Sequence, residues 1–259
     1  MYGVNDPSAA PAISPSVDAL QSAIQARHIM TVRSQFVAGK DADDALALLL
    51  DEKNRDLDLI PFPNGRDPIA YVLRLDRRPH NIDRDHLISD STPVIELVKY
   101  FDDGREVLFV LSGNQISGLV HLSDLNSSLC KIAFFTLLNN VERACLDVFR
   151  SGLPEPLTPP FTERQSVSIK GRVGKWRAND ALPFDAAALY FEEALKLIQT
   201  ARLPSLTDDE ITWLKKARDH TAHAGHLLYS KMADLAQLKA VVSICERVLN
   251  ELRVQYGTT

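Results

Sequence analysis

An α+β chain is predicted, with strands confined to the first half and helices alone in the second, on three observations. Short apolar runs bounded by turn residues recur between Leu57 and His121. From Leu125 onward that texture stops, and apolar residues recur at helical spacing. The pattern of Ala70 to Asp76 also returns at Gly118 to Asp124, which marks an internal repeat in the first half. With 259 residues, 45% of them apolar and 24% charged, the chain has the material for one large or two medium folded domains. Its net charge of -5 supplies no global basic field. Long duplex DNA is therefore not an expected partner, and any nucleic-acid contact has to come from a local patch.

Residues 1–26 read as an N-terminal tail and short helix. The stretch up to about residue 13 is rich in Ala and Pro and reads as a loose tail, Ser14 is placed as an N-cap with Pro15 at the first helical position, and Val17, Leu20 and Ile24 share one face. No basic segment leads into an apolar core, and no apolar run approaches the length of a membrane span. Cys130, Cys145 and Cys245 are odd in number and fall at apolar positions of helical patterns, as expected of reduced core thiols. A cytoplasmic protein without a membrane span follows.

Residues 27–125 contain the repeat. A helix over Asp43 to Glu52 precedes an apolar strand, Leu57 to Phe62, an Asn64-Gly65 turn and a second strand, Ile69 to Leu75. The same order follows with a helix over Val94 to Phe101, a strand from Glu106 to Leu111, a turn at Ser112-Gly113-Asn114 and a last strand, Ile116 to His121. Overlaying the copies aligns Ala70 with Gly118 and Asp76 with Asp124. The layout and the strand ending Gly-apolar-apolar-x-x-Ser-Asp resemble a CBS domain pair. That resemblance implies a sensor of AMP, ATP or another adenine nucleotide, with the aspartate after the last strand taking the ribose hydroxyls. The role falls on Asp124 in the second copy and Asp76 in the first, since a carboxylate accepts the two hydrogen bonds a vicinal diol offers. The family's Thr or Ser three residues after the glycine is His121 in one copy and Leu73 in the other, and the glycine itself is Ala70 in the first. The second copy, with His121, Ser123 and Asp124, is therefore the better site. A purely structural role for both aspartates is N-capping of the segment that follows.

Residues 126–259 are predicted to form an all-α bundle that continues directly from the repeat. Phe134, Leu138, Val141, Cys145 and Val148 make the stripe of a first long helix. Residues 151–183 are Pro-rich, with Lys170, Arg172, Lys175 and Arg177 around Trp176 and little helical period. This reads as a long loop or small hairpin, solvated or in contact with single-stranded RNA. Asp185 is placed to cap a second helix through Leu189, Leu195 and Ile198. Thr207-Asp208-Asp209-Glu210 is a capping box for a third, with Leu206 and Ile211 as its hydrophobic staple and Gly225 as its stop. Leu235, Leu238, Val242, Cys245, Leu249 and Leu252 form the seam of a fourth.

The third helix ends in the chain's densest cluster of titratable nitrogen: Lys215, Lys216, Arg218, His220, His223 and His226. The spacing Arg218-Asp219-x-x-x-His223 and the four-helix setting resemble HEPN domains, many of which are metal-independent ribonucleases. The resemblance implies a homodimer with two motifs facing across a cleft, RNA as substrate and no metal. His223 would activate the 2'-hydroxyl and Arg218 would stabilise the phosphorane, leaving a 2',3'-cyclic phosphate. On a continuous helix Asp219 and His223, at i and i+4, share a side, so Asp219 is placed to fix the His223 tautomer. Arg218 lies roughly 140° from His223 on the same helix, which calls for a bend or a second subunit. The competing reading is a non-catalytic sensor or scaffold that binds a nucleotide and a protein partner. A metal site from His220, His223 and His226 is disfavoured because no Cys or Glu falls close by to complete it.

Overall fold

A computed structural model describes residues 22–65, 67–102, 104–150, 161–179, 189–200, 205–223, 225–228, 230 and 232–256. The caps expected at Ser14 and Asp185 lie outside them. The chain is α+β, and its contacts divide it into two units, one built on Ser22–Lys131 and the other on Ile132–Leu228 and the chain from Ala236. The division falls a few residues beyond the boundary expected at 125/126.

The first unit is organised by two hairpins. β2 (Leu59–Phe62) pairs antiparallel with β3 (Ala70–Leu73), and β6 (Val107–Ser112) with β7 (Gln115–His121). With Ala70 overlaid on Gly118, the pair Leu59↔Leu73 becomes Val107↔His121, and Phe62↔Ala70 becomes Val110↔Gly118. The two hairpins therefore share one register. Their turns carry Gly65 at φ 82° and Gly113 at φ 61°, the same repeat position, where only a residue free of Cβ strain turns the chain cheaply.

The halves also exchange strands. β1 (Thr31–Val32) opens the first half but pairs with β7, Thr31 facing Leu119 and Val32 facing Gly118. Its repeat equivalent, β4 (Pro79–Asn81), opens the second half but pairs with β3 of the first. β5 (Leu87–Ser89) runs parallel to β6, so the sheets have the orders β1-β7-β6-β5 and β2-β3-β4. Alternation along the strands sorts the side chains. Leu59, Tyr71, Leu73, Val107, Phe109, Ile116 and Leu119 make one buried cluster that draws on both sheets. Ile60 and Val72, on the opposite face, pack with Ala45 and Leu49 of α1 (Ala42–Leu50), whose N-cap Asp41 accepts from the Asp44 amide. α2 (Val94–Tyr100) buries Val94, Ile95, Leu97 and Val98.

The second unit is helical. α3 (Ser128–Arg150) buries the whole stripe Phe134, Leu138, Val141, Cys145 and Val148. α5 (Phe191–Thr200) buries Leu195 and Ile198, and α7 (Met232–Tyr256) buries its seam from Leu235 to Leu252. α6 (Asp208–Ala222) starts on the expected box, with the Thr207 hydroxyl accepting from the Glu210 amide and the Glu210 carboxylate from the Thr207 amide. Leu206 and Ile211 are both buried beside it. All three cysteines are free and buried, and burial pushes the Cys130 and Cys145 thiols up to about 12.

One expectation is corrected. The stretch read as a loop or hairpin over residues 151–183 contains a helix, α4 (Glu163–Ala178), started by a reciprocal Thr162 and Gln165 capping box. None of its residues is buried, so no apolar stripe announces it in the sequence. Among the described residues no helix is long and apolar enough to cross a membrane.

The strand exchange has a testable weak point at Gly118. A Cβ there would sit 2.6 Å from the Met30 sulfur and 2.7 Å from the Thr31 carbonyl oxygen, a backbone atom with no freedom to withdraw. Gly118→Ala is expected to cost about 1–3 kcal/mol by overpacking. Urea unfolding followed by circular dichroism measures it, with Ala70→Gly, the equivalent position of the first half, as the comparison.

Candidate functional site

β7 delivers His121 to the surface, where a 3-10 turn, Leu122–Asn126, begins. The His121 amide donates to Asp124 Oδ2 at 2.8 Å, and the Ser123 amide donates back to His121 Nδ1 at 3.3 Å. Ser123 Oγ lies 2.7 Å from the same ring nitrogen. The capping role expected of Asp124 is thus real and commits one of its oxygens. Burial pushes the Asp124 carboxyl above the ordinary carboxylate range; the His121 amide and ring charge pull the other way, and Asp58 raises it further. Asp58 Oδ2 stands 3.6 Å from His121 Nδ1, and Glu106 Oε2 stands 4.0 Å from Nε2.

Asp58, His121, Ser123 and Asp124 line a cleft of about 230 Å³. Thr31, Gln35, Phe36 and Val37 form one side, Asp56 to Leu59 enter at the start of β2, and Leu119, His121, Ser123 and Asp124 close it from β7. Phe36, Leu57, Leu59 and Leu119 give it an apolar lining, and the carboxylates, hydroxyls and imidazole supply directional groups, the composition small-molecule sites favour. A smaller hollow of about 180 Å³ shares Phe36 and Pro61 with it and is lined by Arg33, which is ion-paired to Asp67 and donates to the Ile116 carbonyl. Three of the four ligand-site residues named from the sequence, His121, Ser123 and Asp124, therefore share one cleft. Sequence reasoning misses Asp58, although the repeat carries its signal. Glu106 holds the equivalent position in the second half, so an acid precedes the first strand of both hairpins.

Asp76, the fourth, sits in a different setting. In the first half the position of Leu119 is held by Tyr71, which is 1% exposed. Its ring stacks on His80 at 5.3 Å and meets Phe109 at 5.5 Å. His86 Nδ1 donates to Asp83 Oδ1 at 2.7 Å, leaving Nε2 to accept from the Tyr71 hydroxyl at 3.2 Å. Burial, then the Asp83, Asp76 and Glu106 charges, push the Tyr71 phenol up to about 12. Phe109, Asp83, Asp76 and Glu106 are the repeat equivalents of Pro61, Gln35, Asp124 and Asp58, all members of the open cleft. Side chains occupy the first half's counterpart of the cleft. Burial raises the Asp76 carboxyl, but the Arg78 amide and the His80 ring at 2.8 Å outweigh it and hold the group below its ordinary value.

In the helical unit the motif residues part company. The helix ends at Ala222, so His223 is its C-cap, with extended backbone at φ -109° and ψ 120°. The i, i+4 relation to Asp219 is lost with the helix, and among the described residues no hydrogen bond joins Asp219 to His223. His223 is exposed, its ring 5.2 Å from that of His226, which in turn lies 5.3 Å from His220. His220 Nδ1 donates to the Leu227 carbonyl at 3.0 Å. Arg218 instead turns inward, donating to Glu142 on α3 at 2.9 Å, with its guanidinium 4.9 Å from the Phe135 ring and 5.7 Å from the Phe191 ring. Its buried Nε has no partner among the described residues. Lys215 is ion-paired to Glu192 at 2.7 Å.

Among the described residues no group of three His, Cys, Asp or Glu side chains is placed to hold a metal ion. Compared with known proteins, the chain matches no family model, no curated sequence and no solved structure.

Proposed function

We propose that the chain is a non-catalytic sensor of CBS type that binds an adenine nucleoside or nucleotide in the cleft at the end of β7 and couples it to an HEPN-like helical unit that engages a partner. The reading includes a homodimer, as both resembled families pair. The observation that carries it is the convergence of His121, Ser123 and Asp124, the residues of the better of the two sites in the repeat, on one cleft with an apolar lining. In this reading the base packs against Phe36 and Leu119, the Asp124 carboxylate accepts from the ribose hydroxyls, and phosphates point toward Ser123 or the Arg33 hollow.

Thermal unfolding and calorimetric titration with adenosine, AMP and ATP test it. A member of the series is expected to raise the melting temperature in a concentration-dependent way. Asp124→Asn keeps an acceptor for the His121 amide but loses the charge, and is expected to weaken binding about tenfold or more. The pH dependence has a definite sign. Binding uses the ionised carboxylate, and the Asp124 pKa is raised, so affinity falls on acidification at a higher pH than an ordinary aspartate near 3.9 would give. If none of the three ligands shifts the transition, the sensor reading is wrong.

A second reading, a metal-independent endoribonuclease using Arg218, Asp219 and His223, is favoured by the three imidazoles gathered at the exposed end of α6. In that reading an imidazole takes the 2'-hydroxyl proton, and Arg218 has to leave Glu142 to reach the scissile phosphate. Incubation of mixed RNA with the protein in EDTA is the test, with His223→Ala and Glu142→Gln alongside. Cyclic-phosphate ends lost in the first variant and increased in the second are expected. Intact RNA throughout removes the reading.

A further inference from the structure

We propose that the cleft at the end of β7 admits an adenine nucleoside and excludes its phosphates, so that adenosine binds in preference to AMP or ATP. The inference rests on the sensor reading above and decides which member of that series the site holds. Its ground is the charge of the lining. Asp56, Asp58 and Asp124 supply three carboxylates, and among the described residues that line the cleft none is Lys or Arg. His121 is the one basic group, and it stands between Asp58, 3.6 Å from Nδ1, and Glu106, 4.0 Å from Nε2. A charged imidazole would still leave the acids in excess. The charges acting on Asp124 have the same balance, His121 lowering its pKa and Asp58 raising it, with no Arg or Lys among them.

A nucleotide has two places for its phosphates, and both are poor. Beside Ser123, the His121 Nδ1 accepts from the Ser123 amide, so the Ser123 hydroxyl, 2.7 Å from the same nitrogen, donates to it and offers a phosphate only lone pairs. In the neighbouring hollow the Arg33 guanidinium is already ion-paired to Asp67 and bonded to the Ile116 carbonyl. Two further guanidinium groups, beside the start of β2, do not compensate. Arg74 donates to the Leu57 and Asn54 carbonyls and is not part of the lining. Arg55 meets Asp56 at 3.8 Å with the side chains 74% and 92% exposed, where an ion pair is weak and screened. A phosphate, with a charge of about -1.5 to -2 near neutral pH, would therefore enter a negative cleft.

Size points the same way. The cleft, about 230 Å³, is smaller than the roughly 300–1,000 Å³ usual for small-molecule sites, which suits the smallest member of the series. Thr31 and Gln35 add uncharged hydrogen-bonding groups to the lining, fitted to a base and a sugar. A divalent cation that bridged the acids to phosphates would reverse the charge argument. Among the described residues, however, no three acids or histidines are placed to hold one.

The test is calorimetric titration at neutral pH with three compounds that differ in charge at one position: 5'-amino-5'-deoxyadenosine, adenosine and AMP, with ATP as a fourth. AMP is expected to bind about tenfold or more weakly than adenosine at low salt, and the gap to narrow as salt screens the exposed acids. The amino compound is expected to bind at least as tightly as adenosine. Asp56→Asn with Asp58→Asn is expected to tighten AMP at least about threefold and to leave adenosine within about twofold. Circular dichroism checks that the variant stays folded. AMP or ATP binding as tightly as adenosine, in EDTA or in magnesium, overturns this inference and leaves the sensor reading standing. So does an unchanged ratio of adenosine to AMP affinity in the double variant, or an amino compound that binds more weakly than AMP. If adenosine, AMP and ATP all fail to bind, the sensor reading falls and this inference with it.

Discussion

Two hairpins of one register have to bury one apolar face between them, and the rest of the first unit follows from that constraint. Tyr71 and Phe109 meet at its centre, and the Leu59, Leu73, Val107 and Leu119 side chains gather around them in the same cluster. A hairpin alone is at best marginal in water. The exchange of β1 onto β7 and β4 onto β3 ties the halves together through the backbone as well. It also brings the segment after β1, Gln35 to Val37, to the end of β7, where the cleft opens. The candidate site is thus a consequence of how the repeat closes.

The same closure makes the halves unequal. An aromatic residue at the equivalent of Leu119 fills the first cleft with Tyr71, which the His86-Asp83 pair then holds by its hydroxyl. His80 stacks on the ring and is bonded to Asp76. One half keeps a cavity with His121, Ser123 and Asp124 on its wall, and the other buries Leu73 at the position of His121 and bonds Asp76 to its own neighbours, the Arg78 amide and the His80 ring.

Much of this was legible from residue order. The turn glycines Gly65 and Gly113, the apolar runs of the strands beside them, the Thr207 capping box and the seams of α3 and α7 each have one dominant local cause, and each formed where it was expected. α4 was not legible because a helix that buries nothing has no periodic signature; only its Thr162 and Gln165 cap betrays it. His223 was misplaced for a different reason. Helical spacing was carried through a residue at which the chain had already left the helix, before Gly225 is reached. Arg218 could be named but not oriented, since its partners come from other helices, Phe135 and Glu142 from α3 and Phe191 from α5.

The central claim is that one open cleft, in the second half, takes the ligand. Calorimetric titration counts sites directly. With whichever of adenosine, AMP or ATP binds, one molecule per chain is expected, and Leu119→Tyr, which copies the first half's filling residue into the second, is expected to abolish the heat. Two molecules per chain, or a Leu119→Tyr variant that folds and still binds one, would contradict the account.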